Sequence, residues 1–313
     1  MKILESLSTD LQLSVSYLKQ LSQNTSLEYR RIEVPKRSGG TRVLLIPSPR
    51  LKLIQRQLVD AYLQGLPVHP AATAYSSGSS AKKHADRHAR QRFLLCMDFK
   101  NFFYSISSTD LADYLTQRCP VDVRLDPEDA GTLTDLVTWK GRLVIGAPSS
   151  PVLSNAICME LDRALSDAAN QLGCRYSRYA DDLAFSTQKP DILREMERRV
   201  YGIVAALDCP SSLAINRKKT RHRSRRSRIR RRELTGLVLT QDGQLSVGRR
   251  YRRTVRSMVH SYESLPSESQ RALAGRIAYI EHIEPGFKDR LEAKFGAPRL
   301  AEVLSASNKL SNS

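Results

Sequence analysis

Apolar residues recur every three or four positions at Leu4, Leu7, Leu11, Val15, Leu18 and Leu21, which predicts an amphipathic N-terminal helix with an inward stripe. Alternation then replaces that rhythm. Tyr29–Pro35 and Thr41–Pro47 read as two strands joined at Lys36-Arg37-Ser38-Gly39-Gly40, where the glycines permit positive φ. The cationic tip is either a solvated turn or a cap for a triphosphate. Residues 51–66 carry Leu51, Ile54, Leu58, Ala61 and Tyr62 on one face and stop at Pro67, a second helical pattern. A Gly/Ser-rich passage at 76–80 and a basic segment at 82–92 precede an apolar run, 93–97, that predicts a buried strand ending at Asp98. Helices are predicted at 109–117 (capped by Ser107, Ser108 or Thr109), at 127–140 with the single tryptophan Trp139, at 152–172 and at 192–207. Strands at 175–178 and 183–187 flank Tyr179-Ala180-Asp181-Asp182, a short strand is read at 213–215, and 234–240 with 244–247 predict a hairpin about Asp242-Gly243. Residues 249–295 read as mostly helical.

This arrangement puts adjacent carboxylates, Asp181 and Asp182, on a tight turn and a third, Asp98, at the end of another strand. If the two segments pair in one sheet, the three carboxylates offer hard oxygen donors to divalent cations, as phosphoryl transfer requires. Taken alone, an Asp-Asp pair in a hairpin is explained equally by turn chemistry. The turn Gly146-Ala147-Pro148-Ser149-Ser150-Pro151 presets the first turn of the following helix. Its backbone N–H groups suit a phosphate, and a purely structural helix start explains them almost as well.

Charge narrows the partner. The 313 residues are 41% hydrophobic, enough for a packed core, yet carry a formal net charge of +18, which points to a polyanion. Residues 217–232 hold eleven Lys or Arg in sixteen positions, and Arg249, Arg250, Arg252, Arg253 and Arg256 continue the run along a helix. Nucleic acid is the first candidate. No stretch approaches a membrane span and no signal block opens the chain, so the expectation is a cytoplasmic protein without a membrane partner. The five cysteines are widely spaced and predict reduced, buried thiols. His84 and His88 share a helical face without a third ligand.

In chain order these elements resemble a bacterial reverse transcriptase, and within that superfamily a retron reverse transcriptase, over nearly the whole chain. Asp98-Phe99-Lys100-Asn101-Phe102-Phe103-Tyr104-Ser105-Ile106 resembles the first palm motif, and the 146–151 turn with Leu153-Ser154-Asn155 the second. Tyr179-Ala180-Asp181-Asp182 resembles the third, and Leu213-Ala214-Ile215-Asn216-Arg217-Lys218-Lys219-Thr220 the fourth. Val34-Pro35-Lys36 with Gly40-Thr41-Arg42, then Leu51-Lys52 and Gln55, resemble the fingers pattern, and Leu234-Thr235-Gly236 is similar to the Val-Thr-Gly element near the thumb. Two positions depart from the pattern. Ile145 stands where these enzymes usually carry Gln, and His84 begins the stretch that usually reads Asn-Ala-x-x-His, with Ala85 and His88 in place.

The resemblance implies an α+β right-hand polymerase: fingers and a palm (an antiparallel sheet with packed helices) interleaved over 1–237, and a mainly helical, RNA-binding thumb over 238–313. It implies an RNA-directed DNA polymerase in which Asp98, Asp181 and Asp182, with the Phe99 carbonyl, hold two Mg²⁺ ions, Mn²⁺ being a substitute. Lys36, Arg42 and Lys219 then serve the triphosphate and pyrophosphate, and Phe103 is an aromatic gate that excludes a 2′-hydroxyl. By spacing alone Phe103 is equally a core residue. RNA recognition falls to Leu234, Thr235 and Gly236 with Arg249, Arg250, Arg252, Arg253 and Arg256. Also implied are dNTP substrates, a cognate structured noncoding RNA, a branched RNA–DNA product (msDNA) primed from a guanosine 2′-hydroxyl, and a separate effector protein in antiphage defence. Two alternatives stay open on sequence. One is a catalytically weak or inactive RNA-binding scaffold, supported by Ile145 and opposed by the three aspartates; the other is a reverse transcriptase of another bacterial lineage.

Overall fold

The computed structural model describes residues 3–35, 39–76, 78–227 and 231–305. The chain divides into two compact units, one of residues 1–79 with 95–222 and one of 80–94 with 223–313. The expected N-terminal helix is two, α1 (Ile3–Leu11) and α2 (Val15–Gln23), because Gln12 takes φ 53° and Ser14 caps the second by accepting from the Tyr17 N–H. Ile3, Leu7, Leu18 and Leu21 are buried, whereas Val15, at the break, is exposed. β1 (Tyr29–Pro35) and β2 (Thr41–Pro47) form the predicted antiparallel hairpin, with Tyr29 opposite Pro47 and Pro35 opposite Thr41. α3 (Pro49–Leu58), capped by Ser48, runs into one wider turn at Val59–Leu63.

α4 (Ala81–Ala89) leads to β3 (Phe93–Asp98). α5 (Ser108–Asp113) starts from a reciprocal capping box between Ser107 and Asp110, and α6 (Pro127–Val137) from Asp126. Trp139 lies beyond α6 and bridges to Arg142 instead of continuing the helix. The predicted helix at 152–172 is interrupted at Cys158, giving α7 (Ser150–Ile157) and α8 (Met159–Gln171). β4 (Arg175–Tyr179) and β5 (Asp182–Thr187) follow, then α9 (Ile192–Ala205) and β6 (Arg221–Ser224); the sheet order is β4-β5-β3-β6. Of the strand predicted at 213–215, only Ile215 pairs, in a single bridge to Phe99.

In the second unit, β7 (Arg232–Leu234), β8 (Leu237–Leu239) and β9 (Leu245–Ser246) form an antiparallel sheet. The single strand predicted at 234–240 is folded back on itself: Leu234 pairs with Leu237 because Thr235 and Gly236 both take positive φ, 48° and 80°. Among the described residues α4 also belongs to this unit, and α10 (Arg249–His260), α11 (Ser267–Ile283), α12 (Phe287–Phe295) and α13 (Ala297–Ser305) follow the sheet. They close on a core that includes Val255, Val259, Ile277, Ile280, Phe287 and Leu291. Among the described residues no helix is long and apolar enough to cross a membrane.

Candidate functional site

Asp98 and Asp182 come from neighbouring strands of one sheet, and Asp181 from the turn that leads into the second of them. Asp98 ends β3, Asp182 begins β5, and Tyr179 pairs with Asp182, so Ala180 and Asp181 alone make the turn. Ala180 takes a left-handed φ of 55°, a conformation costly for a residue with a Cβ. The Phe99 N–H donates to the Asp181 carbonyl at 3.0 Å, which ties the segment after β3 directly to the turn. On its other side the Asn216 N–H donates to the Asp98 carbonyl at 2.7 Å and the Lys100 N–H to the Ala214 carbonyl at 2.8 Å. The segment read as a short strand is thus a brace for the Asp98 loop.

Crowding sets the electrostatics. Burial, then the neighbouring Asp98 charge, raises the Asp181 carboxyl; burial, then Asp181 and Asp98, pushes Asp182 up to about 7. Asp98 is 8% exposed; its Oδ2 accepts from Lys219 Nζ at 2.7 Å, while its Oδ1 is buried with no hydrogen-bond partner. Among the described residues no three His, Cys, Asp or Glu side chains close into a ready-made metal nest. The donor set nevertheless fits a hard cation: mutually repelling carboxylates, one with an orphaned oxygen, gain from a divalent charge that oxygen ligands favour.

The remaining residues expected near a nucleotide differ in placement. Burial raises the pKa of both Asp181 and Tyr75, and Arg42, exposed on β2, is close enough for its charge to offset a small part of each rise. Lys36 lies outside the described residues. Phe103 is half-buried in the turn Phe103–Ser105, edge-on to Phe102 at 5.4 Å, and is not enclosed in the core, whereas Phe99 is buried and stacks on Phe102 at 5.6 Å. Sequence reasoning missed Tyr75. It is 51% exposed, takes φ 62°, and its ring lies 6.5 Å from that of Phe103. Its only sequence signal is an aromatic residue opening a Ser/Gly-rich passage.

Gly146 explains itself by close approach. A Cβ there would meet the Leu45 carbonyl oxygen at 2.6 Å, and its φ is 120°. Beside it, the Ile145 carbonyl accepts from the Leu45 N–H at 3.0 Å. Ser149 and Ser150 are buried at the start of α7, where the Ser149 hydroxyl caps no N–H and has no hydrogen-bond partner among the described residues.

The basic residues sort into interior and surface. Arg232 is buried and donates to the carbonyls of Ala89, Gln91, Leu239 and Thr240, while burial lowers its pKa to about 10. Leu234 is buried, and the Thr235 hydroxyl donates to the Ala81 carbonyl at 3.3 Å, with Gly236 exposed at the turn. Arg252 pairs with Glu284 at 2.8 Å, and that carboxylate also accepts from Ser246 and the Val247 N–H. Arg256 lies over the Phe287 ring at 5.9 Å. Arg249, Arg250 and Arg253 are exposed and, with Arg231, line a groove of about 620 Å³; a second of about 400 Å³ shares Arg253 and adds Arg256, His260 and Lys294. No acidic residue lines either groove among the described residues. Cations in the first turn of α10 oppose the helix dipole, a cost that a bound anion would offset.

The chain has relatives among known proteins. Residues 34–244 match the family model described as reverse transcriptase (RNA-dependent DNA polymerase). The chain is 31% identical over 293 residues to the retron Ec83 reverse transcriptase of Escherichia coli, covering 90% of this chain and 92% of that protein. It is 33% identical over 312 residues to the retron Mx65 reverse transcriptase of Myxococcus xanthus, covering 92% and 70%. Among solved structures, a foamy viral protease-reverse transcriptase with double-stranded DNA gives a TM-score of 0.48 at 15% identity, over 90% of this chain and 44% of that one. A Candida albicans telomerase in complex with a fragment of telomeric RNA gives 0.47 at 13%, over 94% and 59%.

Proposed function

Because this chain belongs to the reverse transcriptases, and among them to the retron enzymes, it is an RNA-directed DNA polymerase, and we propose that it copies part of its own structured noncoding RNA into a branched RNA–DNA molecule. The observation that carries the reading is the Phe99 N–H bond to the Asp181 carbonyl, which sets Asp98 beside the Asp181-Asp182 turn. The family uses divalent metal ions; the residues that would hold Mg²⁺, with Mn²⁺ as a substitute, are Asp98, Asp181 and Asp182 with the Phe99 carbonyl. When bound, two such ions supply activation of the primer hydroxyl and neutralisation of the triphosphate.

The protein's own groups account for orientation and selection. Arg42 presents a guanidinium able to grip phosphate with two parallel bonds, and Lys219, bonded to Asp98 at 2.7 Å, a point charge for pyrophosphate. The half-buried ring of Phe103, flanked by Tyr75, serves as the aromatic gate against a 2′-hydroxyl, which favours dNTPs. Exposed Arg249, Arg250 and Arg253 engage the phosphates of the folded RNA, since such recognition rests on shape, phosphate and 2′-hydroxyl contacts. Priming from a guanosine 2′-hydroxyl and partnership with an effector in antiphage defence complete the proposal.

The test is primer extension by purified protein with RNA template, dNTPs and Mg²⁺. DNA synthesis from wild type, lost in Asp181→Asn with RNA binding retained, is the expected result. No product with either divalent ion would favour an inactive scaffold. Sequencing of copurified nucleic acid should return a foldable transcript with its covalently joined DNA; unbranched DNA alone would remove the retron part of the reading.

A further inference from the structure

Arg178, just before the Tyr179-Ala180-Asp181-Asp182 turn, is fully buried, and so is its partner Asp162. The guanidinium meets that carboxylate with two arms, Nη2 to Oδ2 at 2.6 Å and Nε to Oδ1 at 2.9 Å, and the Tyr176 hydroxyl donates to the same Oδ1 at 2.7 Å. Its third arm, Nη1, is divided between the Asn155 side-chain oxygen and the Ala180 carbonyl, each at 3.2 Å. Ala180 is the left-handed residue of the turn. The same residue also holds a second segment: the Arg178 N–H donates to the Ala71 carbonyl at 2.8 Å, and its carbonyl accepts from the Thr73 N–H at 2.7 Å and hydroxyl at 2.8 Å. Asn155 Nδ2 donates to the Ala74 carbonyl at 2.7 Å, immediately before Tyr75.

A buried ion pair is an expensive way to fill a core, because apolar residues of similar volume often give equal or greater stability. What they do not give is a directed donor at a chosen carbonyl. We propose that Arg178, held by Asp162 and Asn155, is a positioning residue that fixes the carboxylate-bearing turn and the Tyr75 loop relative to one another. It touches neither substrate nor metal. Its effect passes through the Ala180 carbonyl to Asp181, and through 71–74 to the Tyr75–Phe103 ring pair. This inference rests on the polymerase reading of the site.

The experiment replaces the ion pair and the tyrosine beside it by apolar groups, Tyr176→Phe with Asp162→Leu and Arg178→Met, so that no buried charge is left unpaired, while the Asn155 side-chain oxygen and the Ala180 carbonyl lose their shared donor. Thermal melting and RNA affinity are expected to stay near wild type. Turnover should fall by about 100-fold, the scale that an ångström of misplacement produces. Mn²⁺ affinity, read by electron paramagnetic resonance without nucleotide, should weaken several-fold, and discrimination against ribonucleotides should drop. A folded apolar variant with wild-type turnover and Mn²⁺ affinity overturns the proposal. Should that variant fail to fold, Arg178→Lys decides: it keeps the charge beside Asp162 but lacks the fork that reaches Ala180. Reduced turnover in the folded Lys variant supports positioning, and wild-type turnover overturns it. If wild type itself makes no DNA, the polymerase reading fails, while the Mn²⁺ comparison between wild type and variant still decides whether the network positions the turn.

Discussion

Arg178 in the first unit and Arg253 in the second carry the same guanidinium to opposite ends. Arg178 is sealed from water and spends every arm inside the protein, on a carboxylate, an amide oxygen and a backbone carbonyl. Arg253 faces two open grooves with no acidic wall. The contrast recurs within the second unit, where Arg252 is locked by Glu284 although it sits among exposed arginines of the same helix. Net charge therefore misleads as a measure of how many phosphates a protein can engage. What a cation can do for a partner depends on which of its donors remain unspent.

Substitutions that separate enclosed charge from offered charge test this difference. The largest effect is expected at the carboxylates: Asp182→Asn should abolish primer extension while RNA affinity, measured by filter binding, stays close to wild type. Gly146→Ala comes next, since a Cβ at 2.6 Å from the Leu45 carbonyl forces the backbone to move; a loss of roughly 2–4 kcal/mol in denaturant unfolding is expected. Arg249→Gln with Arg250→Gln and Arg253→Gln should make the slope of log affinity against log salt shallower by about three, one for each phosphate no longer neutralised. Arg252→Gln should instead leave that slope unchanged and lower stability by roughly 1–3 kcal/mol, because Glu284 loses its nearer charged partner and keeps only Arg290 at 4.0 Å. An equal slope change from Arg252 alone would erase the distinction between locked and exposed arginines.

A further test concerns acid. Burial lowers the His84 pKa to about 3, so the unfolded chain takes up this proton near pH 6.5 while the folded chain does not. The contribution of His84 to stability is fully present above pH 6.5 and is lost as pH falls toward 3, by about 1.4 kcal/mol per pH unit. Asp182, with its raised pKa, acts in the opposite direction over the range below about 7, so the informative quantity is wild type minus His84→Asn. That difference should shrink as pH drops from 6.5 to 4.5 in parallel urea titrations; a constant difference would mean that His84 titrates normally.

Much of the fold is legible in the chain. The hairpin Tyr29–Pro35 and Thr41–Pro47 follows from alternation closed by two glycines, and the strands about Asp181 follow from apolar runs on either side of a polar turn. Where sequence and structure part, the backbone adopts conformations that its residue types disfavour. Thr235 is β-branched yet takes positive φ, so a two-residue turn hides inside an apparent strand; Gln12 does the same between α1 and α2. The carboxylates announce themselves by position at strand ends. Arg178 and Asp162 do not, because a charged residue in a strand or helix pattern reads as solvent-facing until its partner, sixteen residues away, is placed beside it. Tyr75 is hidden by its Ser/Gly surroundings, which resemble an ordinary connection.

The acid-free grooves along α10 carry a practical consequence for anyone handling the protein. At low ionic strength they will hold whatever polyphosphate the cell lysate offers, and the eluted fractions will absorb more strongly at 260 nm than at 280 nm. Washing the affinity column at about 1 M sodium chloride, where the screening length shrinks to about 3 Å, should strip that passenger before any binding curve is attempted.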